Sequence, residues 1–149
     1  MGRIWFPLYD TVSFEQLMSF IEVNMLKHLG IRIMGMSPDS LTANMPVDHR
    51  TQQPLGLLHG GASCVLAESL GSTASYLCID PDKYNVVGLE INANHIRSVK
   101  QGLVTGTCTP VHLGRSSHIW DIRILDEEDR LVCASRMTNA ILDKERGHV

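Results

Sequence analysis

The chain has no run of Lys or Arg, and its formal net charge is −3 over 149 residues. It therefore lacks the basic surface that nucleic-acid binding requires. No stretch is apolar for long enough to span a bilayer. The opening MGRIWF has neither the apolar core of a leader nor a hydroxyl residue at position 6 for myristoylation. The four cysteines, Cys64, Cys78, Cys108 and Cys133, form no CxxC pair, which argues against a disulfide framework and fits reduced packing residues in a cytoplasmic protein. His28, His49, His59, His95, His112, His118 and His148 show no HxxxH or HxH spacing, so no metal site is expected. No repeat, linker or low-complexity stretch divides residues 1–149, and one domain of this length can bury a sizeable core.

The most informative absence is local. Between Arg50 and Asp80 lie 29 residues whose one formal charge is Glu68. Residues 61 to 78 have helical length and composition, yet they lack the charged face of a surface helix. At 100° per residue, Leu66, Leu70 and Leu77 project opposite Glu68, while Gly61, Cys64, Gly71, Ser72 and Ser75 cluster around it. Both sides of the helix are thus expected to be buried, with an acid among small residues. Buried carboxylates need a partner or shift their pKa, and an acid in a cleft is a candidate for chemistry. The competing reading is an exposed or purely structural glutamate.

Around this helix the pattern predicts an α+β fold. Ser13 and Gln16 stand as a capping box before one helix whose stripe is Phe14, Leu17, Met18, Ile21 and Met25. Two short strands, IRIMGM and SLTANMPV, follow Gly30 and turn around Ser37 to Asp39. After the central helix come four strand-like runs, VVGLEINANHI, LVTGTCTPV, HIWDIRIL and LVCASRMTNAIL, separated by turn residues. An antiparallel sheet wrapped around one apolar helix accounts for this order.

The run MPVDHRTQQPLGLLHGGASCVLAESLGS, with GLEINANHIRSVKQG and HLGR after it, resembles the hotdog-fold acyl-CoA thioesterases of the phenylacetate-degradation type. Within them it is most similar to the branch of bacterial 1,4-dihydroxy-2-naphthoyl-CoA and enterobactin-proofreading thioesterases. The resemblance spans about residues 13–142. It implies a six-stranded antiparallel sheet around the long helix, a homodimer or homotetramer with active sites at the subunit interface, an acyl-CoA substrate and no cofactor beyond the coenzyme A of that substrate.

The family's motif falls on Gln53, His59, Gly60, Glu68 and Ser72. Gly60 and Gly61 open the helix, where free N–H groups and the helix dipole can hold a developing oxyanion; tight-turn geometry is the alternative for both. Gln53 could orient the same carbonyl, and His59 could hold Gln53 or the attacking water. Ser72, one turn after Glu68, could bond the carboxylate, the water or the leaving sulfur. Glu68 could act as general base or as nucleophile through a mixed anhydride. Arg97 and Arg115, and less strongly Lys100, are candidates for the coenzyme A phosphates. The resemblance puts His95 near the substrate. The rival expectations are a hotdog-fold hydroxyacyl-thioester dehydratase, whose loop histidine has no counterpart in Gln52 to Gly56, and a non-catalytic acyl-CoA-binding module.

Overall fold

The computed structural model describes residues 2–145. A 3-10 turn at Pro7–Asp10 precedes helices α1 (Phe14–Ile21) and α2 (Asn24–Leu29), strands β1 (Arg32–Met36) and β2 (Leu41–Pro46), helix α3 (Gly60–Cys78), and strands β3 (Tyr84–His95), β4 (Leu103–Leu113), β5 (Ser117–Leu125) and β6 (Leu131–Asp143). The six strands form one antiparallel sheet in the order β1-β2-β4-β5-β6-β3. It wraps around α3, as the apolar helix and the run of late strands predict.

The single N-terminal helix read from the sequence is in fact two. The Ser13–Gln16 capping box forms. The helix then stops because Glu22 leaves helical geometry and gives its carboxylate to the next strand: Oε1 accepts the Ile33 N–H at 2.7 Å, and Arg32 pairs with Oε2 at 3.2 Å. With the axis broken, Met25 turns outward and is 56% exposed instead of joining the core.

The sheet side of α3 is fully packed, since Leu66, Leu70, Ala74 and Leu77 have no exposed surface. They meet the inward residues of β5, Trp120, Ile122 and Ile124, the alternation expected of a strand with unlike faces. Asn139 lies at the centre of this core. Its Nδ2 donates to the Gly71 carbonyl at 3.1 Å and to Ser75 Oγ at 2.9 Å, and Trp120 Nε1 donates to the same hydroxyl at 2.7 Å. Ser75 is therefore a core hydrogen-bonding residue. Such groups must be satisfied when buried, since an unmade bond costs about 1–3 kcal/mol.

Two edges remain. One is β1, the other β3, whose outer side carries no strand partner within the chain. Its ladder with β6 shifts register between Gly88 and Glu90, and Val87 and Leu89 are 48% and 64% exposed. An unpaired edge with apolar side chains is a natural surface for strand addition.

Candidate active site

The expectation that both faces of α3 are buried fails within a single chain: Glu68 and Gly61 are exposed, and Cys64 and Ser72 only half-buried. The sheet covers Gly71 and Ser75 as well as the leucine side of the helix, and only Gly61, Cys64, Glu68 and Ser72 of that cluster reach the surface. Glu68 has no hydrogen-bond or ion-pair partner among the described residues. Its carboxylate hangs over β3, where a Cβ added to Gly88 would come within 3.2 Å of Oε1. Gly88 is thus the window through which the acid reaches the strand. A glycine inside a strand pattern signals such an approach, and that signal was available in the sequence.

The space in front of Glu68 is a cleft of about 390 Å³ walled by Ile21, Met25 and Leu26 of α1 and α2 and by Val65, Ser69, Ser72 and Thr73 of α3. Ser72 donates its hydroxyl to Asn139 Oδ1 at 3.4 Å, so it is linked to the buried amide rather than to the acid. The carboxylate also marks its neighbour one turn back: burial first, and then Glu68, push the Cys64 thiol above its usual value.

The other candidate groups gather at the start of α3. His59 is the N-cap, its Nδ1 accepting the Gly61 N–H at 2.8 Å. That bond uses one ring nitrogen and removes Gly61 as a donor to substrate, leaving His59 Nε2 for other partners. The Gly60 N–H has no partner among the described residues. Gln53 sits in a tight turn closed by its own backbone bonds with Leu57 and Gly56, at 2.8 and 2.9 Å. Its Oε1 accepts the Leu55 N–H, which leaves the side-chain NH₂ as the free end. The loop is fastened by Thr51, whose Oγ1 donates to the Pro46 carbonyl at 2.7 Å and whose carbonyl accepts the His59 N–H at 2.8 Å.

His95, at the end of β3, packs on the first turn of α3: a Cβ on Gly60 would be 2.7 Å from its Nε2. The lack of a side chain at Gly60 therefore admits the imidazole beside an N–H that its place at the helix start leaves free. Gln53, Gly60, His95 and Arg97 line one cleft of about 300 Å³. Lys100 borders a different one among Asp126, Glu127 and Glu128, a poor setting for phosphate. Arg115 lies at the far end of α3 beside Cys78, Ile79 and His118, about 27 Å along the axis from Gly60. Glu68 with Ser72 and Gln53 with Gly60, His95 and Arg97 thus line two separate clefts, whose linings share no residue.

Among the described residues no three His, Cys, Asp or Glu side chains converge to hold a metal ion. Likewise, no described helix is long and apolar enough to cross a membrane. Sequence reasoning missed Gly88, Asn139, Thr51 and the cleft walls from α1 and α2. Asn139 was visible as a lone amide in an apolar strand; the walls were not, because they depend on where the broken helix packs.

The chain matches the Thioesterase superfamily over residues 55–133. It is 55% identical over 131 residues to the 1,4-dihydroxy-2-naphthoyl-CoA hydrolase of Escherichia coli, covering 88% of this chain and 96% of that one. It is 56% identical over 118 residues to the proofreading thioesterase EntH of Cronobacter sakazakii, covering 79% and 85%. Among solved structures, a thioesterase of Haemophilus influenzae superposes with a TM-score of 0.89 at 44% identity, covering 98% of this chain and 99% of that one.

Proposed function

The chain belongs to the thioesterase superfamily, is a hotdog-fold thioester hydrolase, and on that premise we propose that it cleaves aryl or hydroxyaryl coenzyme A thioesters at a site shared between two copies of itself. The observation that carries this reading is the separation of the two half-sites. Glu68 is eight residues beyond Gly60, about 12 Å along one helix, whereas a base and an oxyanion donor must both come within about 3 Å of the reacting atoms. Two α3 helices running antiparallel across a two-fold axis bring the Gly60 end of one beside Glu68 of the other. Antiparallel pairing of the open β3 edges supplies such an axis, in a dimer or in each half of a tetramer.

In the composite site the thioester oxygen accepts from the Gly60 N–H and the Gln53 amide. These bonds tighten as charge develops on the oxygen, and one donor of this kind contributes about 3–4 kcal/mol. Glu68 of the other copy takes the proton of a water as its oxygen attacks the carbonyl carbon, and the C–S bond breaks to release thiolate and acid. In the covalent variant the Glu68 carboxylate attacks the carbonyl carbon, the C–S bond breaks to release thiolate, and water then opens the mixed anhydride to give the acid and restore Glu68. Ser72, oriented by Asn139, faces the same space, and the remaining nitrogen of His59 can hold the water. His95 and Arg97 flank the entrance, where Arg97 can pair with phosphate. The route needs no resident metal or cofactor.

The cleft before Glu68 supports a bulky acyl group. Its walls are Ile21, Met25, Leu26 and Val65, and Ser69 and Thr73 offer hydroxyls to a substituted ring. The hydroxynaphthoyl ester named for the Escherichia coli relative fits that chemistry. The test is release of free thiol from a panel of benzoyl-, hydroxynaphthoyl-, hexanoyl- and 3-hydroxyacyl-CoA esters by wild type and Glu68→Gln. Aryl esters should be cleaved fastest, with the variant down by at least about 10²-fold. Water loss from the 3-hydroxyacyl ester without thiol release, or full activity in the variant, would overturn the proposal.

A further inference from the structure

Ser63 stands one turn after Gly60 on α3 and is only 1% exposed. A helical serine this deep ordinarily bonds a carbonyl of the preceding turn or a neighbouring side chain. Its N–H donates to the His59 carbonyl at 3.3 Å, but the hydroxyl has no hydrogen-bond partner among the described residues. Among those residues, the buried side-chain polar atom that lacks both a partner and accessible surface is His118 Nδ1. Ser63 Oγ is not sealed in that way, so the trace of surface it keeps opens on the cleft that its residue lines with Gln53, Gly60, His95 and Arg97. Buried polar groups are nearly always paired, and an unpaired hydroxyl at the wall of an open cleft points to a partner from outside.

The surroundings narrow what that partner is. Leu57, Leu58, Ile96 and Val132 supply hydrocarbon to the same cleft, a setting that suits a neutral group and is costly for a phosphate. Charge stays at the rim, where Arg97 is exposed. The thioester oxygen is already served by the Gly60 N–H and the Gln53 amide. Between its sulfur and its phosphates a coenzyme A ester carries a neutral arm, whose first amide follows the sulfur after a short hydrocarbon link. Ser63 is three residues beyond Gly60, about 4.5 Å along the axis, a reach comparable to that from the thioester carbonyl to this amide. A serine hydroxyl both donates and accepts, as an amide requires.

We propose that Ser63 recognises the first amide of the coenzyme A arm, and that the cleft from Gln53 to Arg97 is the channel in which the arm lies between the reacting carbonyl and the rim. Ser63 thereby selects the thiol half of the substrate, as the cleft before Glu68 selects the acyl half. This role rests on the thioester reading above and is independent of which acyl group is carried.

The test keeps the acyl group constant as benzoyl and shortens the thiol. The substrates are benzoyl-CoA, the N-acetylcysteamine thioester, which keeps only the first amide, and the S-ethyl thioester, which keeps none. In Ser63→Ala, kcat/KM should fall about tenfold for the first two and stay within about twofold for the S-ethyl ester, since a lost bond leaves the amide unpaired only where there is one. Arg97→Gln should instead lower the coenzyme A ester alone. Because the hydroxyl is unpartnered in the free chain, Ser63→Ala should unfold at the same or a higher urea concentration than wild type. A wrong acyl preference would lower all three wild-type rates together and leave these ratios unchanged, so the two proposals fail separately. Equal losses on all three esters in Ser63→Ala, a loss on benzoyl-CoA alone, no loss, a lower urea midpoint, or losses on the short esters in Arg97→Gln would each overturn the assignment.

Discussion

Mixing two inactive chains should restore activity. Glu68→Ala removes the base and leaves the Gln53–Gly60 half-site; Gln53→Ala removes a carbonyl donor and leaves Glu68. Within one chain these half-sites are about 12 Å apart along α3 and line different clefts, so neither chain can repair itself. If each site takes one half from each copy, a hetero-dimer has one intact site and one that lacks both groups. Unfolding the chains together and refolding at equal amounts makes about half of the dimers hetero, so recovery should approach roughly a quarter of wild-type activity. The assay is thiol release from an aryl-CoA ester, with hetero-dimers counted by native mass spectrometry. Activity no greater than the sum of the two variants, with hetero-dimers present, would refute the shared site.

Gly88→Ala places a methyl 3.2 Å from Glu68 Oε1 and 2.9 Å from Met137 Cε; displacing the carboxylate by a fraction of an ångström should lower kcat by about tenfold or more, and a wild-type kcat would show that Gly88 positions nothing. Gln53→Ala should lower kcat more than it raises KM, and Arg97→Ala the reverse, in steady-state kinetics across acyl-CoA esters. Asn139→Ala leaves the Gly71 carbonyl and Ser75 short of a partner and should cost about 1–3 kcal/mol in urea unfolding, with kcat falling further through Ser72. Arg50, chiefly through its side-chain hydrogen bond, holds the Asp48 carboxyl down at about 2. Its contribution is therefore present above the unfolded value of about 3.9 and lost as pH falls toward 2. The Tm difference between wild type and Asp48→Asn should shrink over that window and be small throughout, because the pair is about one-third exposed.

The fold was legible wherever the pattern depended on period alone. All four late strands and the β1–β2 turn follow from alternation and turn residues, and α3 from its uncharged helical run. The break between α1 and α2 was not, because it arises from a tertiary bond: Glu22 reaches forward to the Ile33 N–H, and nothing in the stripe from Phe14 to Met25 records that. The isolation of Glu68 pointed to the acid, but its apparent burial was misread. A stretch without charge reads alike whether its small residues pack in the core, as Gly71 and Ser75 do, or line a cleft, as Ser72 does beside Glu68. His59 was visible as a helix-start residue; that it uses Nδ1 on the Gly61 N–H depends on the ring's rotamer.

The place of α3 in chain order also governs how the protein is made. The helix ends at Cys78, but β4, β5, β6 and β3, which bury it, are not complete until Asp143 leaves the ribosome. At about 5–20 residues per second this leaves an almost uncharged helix without four of its six strands for roughly 3–13 s. Folding before that point would need contacts with strands that do not yet exist, so the nascent chain is a natural client for chaperones. Truncations within β6 should accumulate as aggregates rather than as smaller folded proteins.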